Sequence, residues 1–196
     1  MVRSTNNRHS WSLLSGSAHE VAPRLLGSIL ERTVDGKIVQ VRIVETEAYD
    51  QSDAASHSYK GRTARTEIMF GEPGYLYVYF TYGMHYCCNI VVSKPGYGAA
   101  VLLRAAEPIE GTDTISGFRV GKSGVELTNG PAKLCQALAI DKSLNGHDLR
   151  RGPLKLILQP PLRHNQITQT TRVGISHAKD VPWRFYINGN PYVSKP

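Results

Sequence analysis

Between Arg42 and Val92 the sequence gathers side chains suited to holding a flat or positively charged group, in the successive stretches RIVETEAY, ASHSYKGRT and MFGEPGYLYVYFTYGMHYCCNIVV. Of the ten tyrosines in the chain, Tyr75, Tyr77, Tyr79, Tyr82, Tyr86 and Tyr97 fall in or just after the last stretch. A phenol ring offers a face that stacks on a nucleobase or a cation, and a strand would turn Tyr75, Tyr77 and Tyr79 to one side. The commoner role of such a strand is packing against a core, because aromatic residues favour strands in any case. Glu45 and Glu47 stand two apart and so share a strand face too. A glutamate at a strand end is usually just solvated, so this pair acquires meaning only from its surroundings. The cysteines Cys87, Cys88 and Cys135 have no metal-like spacing, and the histidines form no HExxH or His/Cys cluster. No catalytic metal and no cofactor are expected.

Turn signals indicate the elements that would hold these groups. Val34-Asp35-Gly36 lies between the apolar runs Leu25 to Arg32 and Lys37 to Tyr49, and Asp-Gly in that place predicts a hairpin. Ile38, Val41 and Ile43 are the apolar residues of its second strand, which ends on Glu45 and Glu47. A polar coil carrying His57, Arg62 and Arg65 follows. Pro73-Gly74 then launches the tyrosine strand, and Tyr82-Gly83-Met84 is the tip of a tight turn into a strand from His85 to Val92. Gly98 to Ala106 is a further apolar strand carrying Arg104, and Glu107 to Val125 is loop or short helix. Asn129-Gly130-Pro131 starts a helix, with Asn as cap and Pro in the first turn, and it bears Lys133 near its start and Leu134 and Leu138 on one face. The segment Arg150 to His164 mixes a strand-like LKLIL with prolines, and RFYINGNPYVS sets an Asn-Gly turn between aromatic strand residues. Hairpins outnumber helices, which predicts an α+β class with a mainly antiparallel sheet.

At 196 residues the chain suits a single compact domain with a real core, and 41% apolar against 20% charged residues is a globular composition. The net charge of +7 favours a polyanionic partner such as nucleic acid. No apolar run approaches the ~20 residues of a membrane helix, and MVRSTNNRHSWSLLSG lacks the long apolar core of a secretory signal. A soluble, intracellular, monomeric protein with no membrane partner is expected. Residues 1–19 are expected as a flexible tail before a folded unit of residues 20–196. Adjacent Cys87 and Cys88 would point to opposite faces of their strand as small core fillers in a reducing compartment.

Taken in order, ETEAY, AxHSxxGR, LYVYxxYGMxxCxN, VLLRAxEP, GPxKLCQALAI, RVGxxHA and RFYxxGxPxVS resemble the alkyladenine (3-methyladenine) DNA glycosylase family, from about Glu20 to the C-terminus. The resemblance implies a curved antiparallel sheet with a projecting hairpin that enters DNA, and an enzyme of base excision repair that removes alkylated or deaminated purines from double-stranded DNA. Its compartment would be that of the DNA, bacterial cytoplasm and nucleoid or nucleus.

Such an enzyme must turn the damaged nucleotide out of the stack and fill the gap. By resemblance Tyr82 is the wedge, with Gly83 and Met84 letting the tip lie close to the bases. The base would lie between Tyr49 and Tyr79 beside His57, with Asn89 placed to crowd the exocyclic amine of guanine and Leu102 in the wall. Glu47 matches the family's general base, Arg104 and the backbone carbonyl of Val173 match the groups that hold the water, and Glu45 is the fallback base. Lys60, alone among lysines in the pocket motifs, stands where the family has no nucleophile, so hydrolysis without a Schiff base is implied. Phosphate contacts fall to Arg62, Thr63, Arg119, Lys133 and Lys142. The chain departs from better-known members by a one-residue contraction around Arg62, a two-residue longer turn at Lys94 to Gly98, His85 in place of a tyrosine beside the wedge, and a shorter segment after Asp148. These bear on lesion range and phosphate contacts. A non-catalytic DNA-damage binder or an RNA-binding module would also use stacked tyrosines and a basic surface, but neither needs Glu47, Arg104 and the RVG segment together.

Overall fold

The computed structural model describes residues 11–195. Asp35 and Gly36 take φ of 49° and 73°, a two-residue turn whose twist suits a hairpin, and they join β1 (Ile29–Val34) to β2 (Lys37–Asp50) with Val34 opposite Lys37. β2 is the spine of the molecule. It pairs with β1, along its length with β5 (Ala99–Glu110), and at Glu45 to Glu47 also with β8 (Arg184–Ile187). The β2–β5 register slips between Ile43 and Glu45 and again between Glu45 and Thr46, and bulges of that kind bend and twist a strand. Beyond β5 lie β4 (His85–Val91) and β3 (Leu76–Thr81), beyond β1 lies β6 (Leu154–Ile157), and β7 (Ile167–Thr170) pairs with β8. Every named pairing is antiparallel. The expected α+β class with a curved antiparallel sheet holds.

Helices α1 (Ala18–Arg24), α2 (Thr112–Phe118) and α3 (Pro131–Ala137) cover the sheet. Alternation along β2 decides what each face meets. Thr46 Oγ1 donates to the α1 carbonyl of Ala22 at 3.0 Å, so the Thr46 and Ala48 side packs on α1. Glu45, Glu47 and Tyr49 therefore point to the other side. In β3 the same rule puts Leu76 and Val78 into the large core with Val41, Leu103 and Leu134, while Tyr77 joins Met69, Phe70 and Val91 in a smaller cluster against which Tyr75 and Tyr79 pack. The three alternating tyrosines share one side, as expected. Cys88 belongs to the large core and Cys87 to the opposite face, and both are buried free thiols.

Several boundaries differ from the sequence reading. Trp11–Leu14 form a short 3₁₀ helix, Leu14 is fully buried and its carbonyl accepts from Ser93 N at 3.0 Å, so residues 11–19 are packed against the fold and Glu20 lies inside α1. The part of the expected tail before Trp11 lies outside the described residues. β5 runs on to Glu110, through Pro108, which sits beside a shift in the register with β2. α3 is capped by Gly130 and not by Asn129, since Pro131 takes the first helical position and Gly130 O accepts from Leu134 N at 2.8 Å. The Asn188-Gly189 turn forms, with Gly189 at φ 69°, but no strand follows it among the described residues. No helix among the described residues is long and apolar enough to cross a membrane.

Candidate active site

Glu47 is fully buried, and three donors meet its carboxylate. Tyr49 Oη donates to Oε2 at 2.7 Å, Val173 N–H donates to Oε1 at 2.8 Å, and Arg104 Nη1 lies 3.3 Å from Oε1. A carboxylate offers roughly four acceptor positions, so Oε2 retains a free one. Glu45, also fully buried, holds four donors. Its Oε1 accepts from Arg104 Nε at 3.2 Å, Arg184 Nε at 2.7 Å and Ser194 Oγ at 3.0 Å, and its Oε2 accepts from Ser194 N at 2.7 Å. Arg104 thus bridges two acids two positions apart on one strand face, as their spacing requires. Burial alone would lower its pKa, but Glu47 and then Glu45 more than offset that and hold it above the usual arginine value.

Above these groups opens a cavity of about 420 Å³, walled by Tyr49, His57, Tyr79, Asn89, Leu102, Arg104 and Val173, with Tyr82 at its edge. Tyr49, His57, Tyr79, Asn89 and Leu102 are the residues expected around a flipped base and Arg104 and Val173 those expected beside the water, and the fold brings them together from β2, β3, β4, β5 and the loops at 51–66 and 171–183. Glu47 itself is not among the lining residues but contacts three of them, Tyr49, Arg104 and Val173. The side-chain nitrogen of Asn89 donates to Tyr77 O at 3.1 Å, and the residue sits opposite Leu102 in the β4–β5 ladder. Tyr82, between β3 and β4, has φ 53° and is 82% exposed, with Met84 70% exposed beside it. A bulky residue in the left-handed region is strained, and such strain clusters at functional sites.

The rings are kept neutral. Burial, then the neighbouring Glu47, raises the Tyr49 pKa far above its usual value, so the phenol remains a donor. Burial raises Tyr79 likewise, and burial pushes the Cys87 thiol up to about 11. His57, whose Nδ1 lies 3.0 Å from Tyr77 Oη, is lowered to about 4 by burial of its ring and then by Arg65, although part of the residue reaches solvent. The sign follows from linkage: between the ordinary value of 6.5 and about 4 the unfolded chain binds a proton that the native imidazole refuses, so this group withdraws stability as pH falls through that window. An NMR titration is expected to show the His57 ring taking up its proton near pH 4, and an ordinary midpoint near 6.5 would contradict this environment.

The residues expected at phosphates lie outside the cavity wall. Arg62 is exposed, 5.2 Å from the Phe70 ring centroid, and Thr63 and Lys142 are exposed as well. Lys133 Nζ donates to Asn129 Oδ1 at 2.7 Å. Arg119 stands apart as a correction: it is only 8% exposed, donates to Gln136 Oε1 and to Glu126 O, and is a structural cross-tie between α2 and α3. Residues not anticipated at the site include Tyr77, Met69 and Cys87 in the wall and Arg172 behind it. The tyrosine alternation already carries Tyr77, whereas the role of Arg172 depends on a partner, Asp53, far away in sequence.

Residues 12–191 match the family model described as methylpurine-DNA glycosylase. The chain is similar to a protein of Carboxydothermus hydrogenoformans, 53% identical over 176 residues, covering 89% of this chain and 92% of that one. It is 48% identical to a protein of Desulfitobacterium hafniense and 47% identical to one of Methanoculleus marisnigri, each match again covering 89% of this chain and 92% of the relative. All three relatives are described as candidate 3-methyladenine DNA glycosylases.

Proposed function

We propose, because this chain belongs to the methylpurine-DNA glycosylase family, that it is a monofunctional DNA glycosylase of base excision repair. It turns alkylated or deaminated purines out of duplex DNA inside the cell and hydrolyses the N-glycosidic bond, leaving an abasic site. The observation that carries this reading is the buried Glu47 carboxylate, held by three donors behind a ring-walled cavity, with one acceptor position of Oε2 unused. A water at that position gives its proton to Glu47 as its oxygen bonds to the anomeric carbon, and the bonding pair of the C–N bond leaves with the purine. Arg104 and the backbone carbonyl of Val173 hold the water with Glu47. A cationic 3-methyladenine or 7-methylguanine departs neutral, whereas hypoxanthine or ethenoadenine must first gain a proton. No lysine is among the residues walling the cavity, which supports water over an amine nucleophile. Arg62, Thr63, Lys133 and Lys142 supply phosphate contacts. Release of free base from alkylated duplex DNA, with an intact abasic strand as the other product, tests the reading; binding without release would replace it with a damage-binding role.

Tyr82 is the side chain that occupies the gap left by the flipped nucleotide, supported by its exposure and left-handed backbone. Tyr82→Ser is expected to weaken binding to lesion duplex and slow excision, with a smaller effect on a lesion already unpaired. An equal loss on paired and unpaired substrates would remove this role.

The rings of Tyr49 and Tyr79 hold the base from either side. Cationic purines gain from both ring faces, neutral ones from stacking alone, so Tyr79→Leu should reduce single-turnover excision of 7-methylguanine more than that of hypoxanthine, by up to ~2 kcal/mol for a desolvated cation over a ring. Equal losses would mean that Tyr79 only fills space.

A further inference from the structure

Behind Tyr49 the structure carries a guanidinium that the reaction as described does not use. Arg172 has a side chain wholly shielded from solvent, and its guanidinium carbon lies 4.7 Å from the ring centroid of Tyr49 and 5.4 Å from that of Trp183. A planar cation packed on two rings restrains the orientation of both. Trp183 in turn stacks on His19, with centroids 5.3 Å apart and planes 7° from parallel. The guanidinium is also tied edgewise: it forms a two-pronged salt bridge with Asp53, Nη1 donates to Ala48 O at 2.9 Å, and Nη2 lies 3.4 Å from Ala178 O. Its Nε–H has no hydrogen-bond partner among the described residues. One side chain thereby ties together the end of β2, the loop that carries His57, and the loop that carries Val173.

Two of the three donors on Glu47 depend on those ties. Tyr49 can donate to Oε2 only while its ring keeps its plane, and Val173, the next residue after Arg172, supplies the amide on Oε1. Accepting the reading of Glu47 as base, we propose that Arg172 is a positioning residue for the reaction: clamped by Asp53 and Trp183, it sets the Tyr49 ring and the Val173 amide and thereby aims the Glu47 carboxylate. It touches neither the carboxylate nor the cavity. Lysine would keep the charge but lose both the plane and the two-pronged pairing.

The test uses single-turnover excision of 7-methylguanine, a base that is cationic throughout the range, so that the acid limb of the pH–rate profile reports the carboxylate. The ionisable groups facing Glu47 are Glu45 and Tyr49 from β2, Tyr79 from β3, Cys87 from β4, Arg104 from β5, and Arg172 from its loop. Arg172→Lys is expected to slow excision roughly 10- to 100-fold, the scale of a small misplacement of a reacting group. Loss of hydrogen bonds to the carboxylate should also move the acid limb toward higher pH, with affinity for abasic duplex retained. Tyr49→Phe, which deletes one of those bonds while leaving Arg172 in place, should move the limb the same way. Asp53→Asn, which leaves the guanidinium but weakens its anchor, should do so to a smaller extent and serves if Arg172→Lys does not fold. A merely structural role would lower melting temperature and active fraction while leaving the limb and the rate per active site unchanged, and that result overturns the proposal. Activity of Glu47→Gln in the same assay would overturn the underlying reading instead, so the two failures are distinguishable.

Discussion

Glu47→Gln is expected to lose about 10²- to 10⁴-fold in single-turnover base excision, the scale of a lost general base, while binding to lesion or abasic duplex stays close to wild type. The substitution is nearly isosteric, so the fold and the cavity should persist. It cannot be electrically silent. Arg104 would face a neutral amide, and the site has donors on both oxygens, from Tyr49 at 2.7 Å and Val173 at 2.8 Å, so the amide nitrogen must oppose one of them wherever it is placed. The lost group acts on water and not on the DNA, which is why affinity should survive. Near wild-type single-turnover excision by this variant would remove Glu47 from the role of base. A loss of binding as large as the loss of rate would mean that the carboxylate works by shaping the pocket.

What the sequence made legible, and what it hid, divides along sequence distance. Asp35-Gly36 signals its own hairpin, Tyr75, Tyr77 and Tyr79 display their common side by alternation, and Leu134 and Leu138 display the buried face of α3, because each of these patterns is local. The length of β5 was hidden by Pro108, which reads as a strand end although it sits where the ladder slips. The pairing of β8 on β2 at Glu45 to Glu47 joins segments far apart in the chain and leaves no local pattern at all. The site shows the same division. Much of the cavity wall, Tyr49, His57, Tyr79, Asn89 and Leu102 included, could be matched to an ordered series of motifs, whereas Met69 lies in none of them. Arg119 could not be told from a surface charge, since only the fold supplies Gln136 and the Glu126 carbonyl. Arg172 stands beside Val173 in the sequence, but its function requires Asp53, Tyr49 and Trp183 around it.

Glu45 and Glu47, indistinguishable by residue type and strand face, should respond to mutation in opposite ways. Glu45 carries four donors against three on Glu47, and two of the four come from arginines: its oxygens hold Arg104, Arg184 and both polar groups of Ser194. The two arginine side chains that it pairs are 9% and 6% exposed. Glu45→Ala would leave Arg184 uncompensated and Arg104 with Glu47 alone, and breaking a buried charge pair by deleting one partner typically costs about 3–5 kcal/mol. At roughly 2–4 °C per kcal/mol for a chain of this size, the melting temperature should fall by about 6–20 °C. Activity should fall with it, because Arg104 loses the carboxylate that orients its Nε. The loss should be partly recovered by adding Arg184→Met, which removes the orphaned charge, and a double-mutant cycle on the melting free energies should show strong coupling between the two positions. No such recovery is expected for Glu47→Gln, whose defect is chemical and leaves the fold intact. If Glu45→Ala melted like the wild type but excised no base, the assignment would reverse: Glu45 would be acting on the reaction, and the arginine network around it would be incidental.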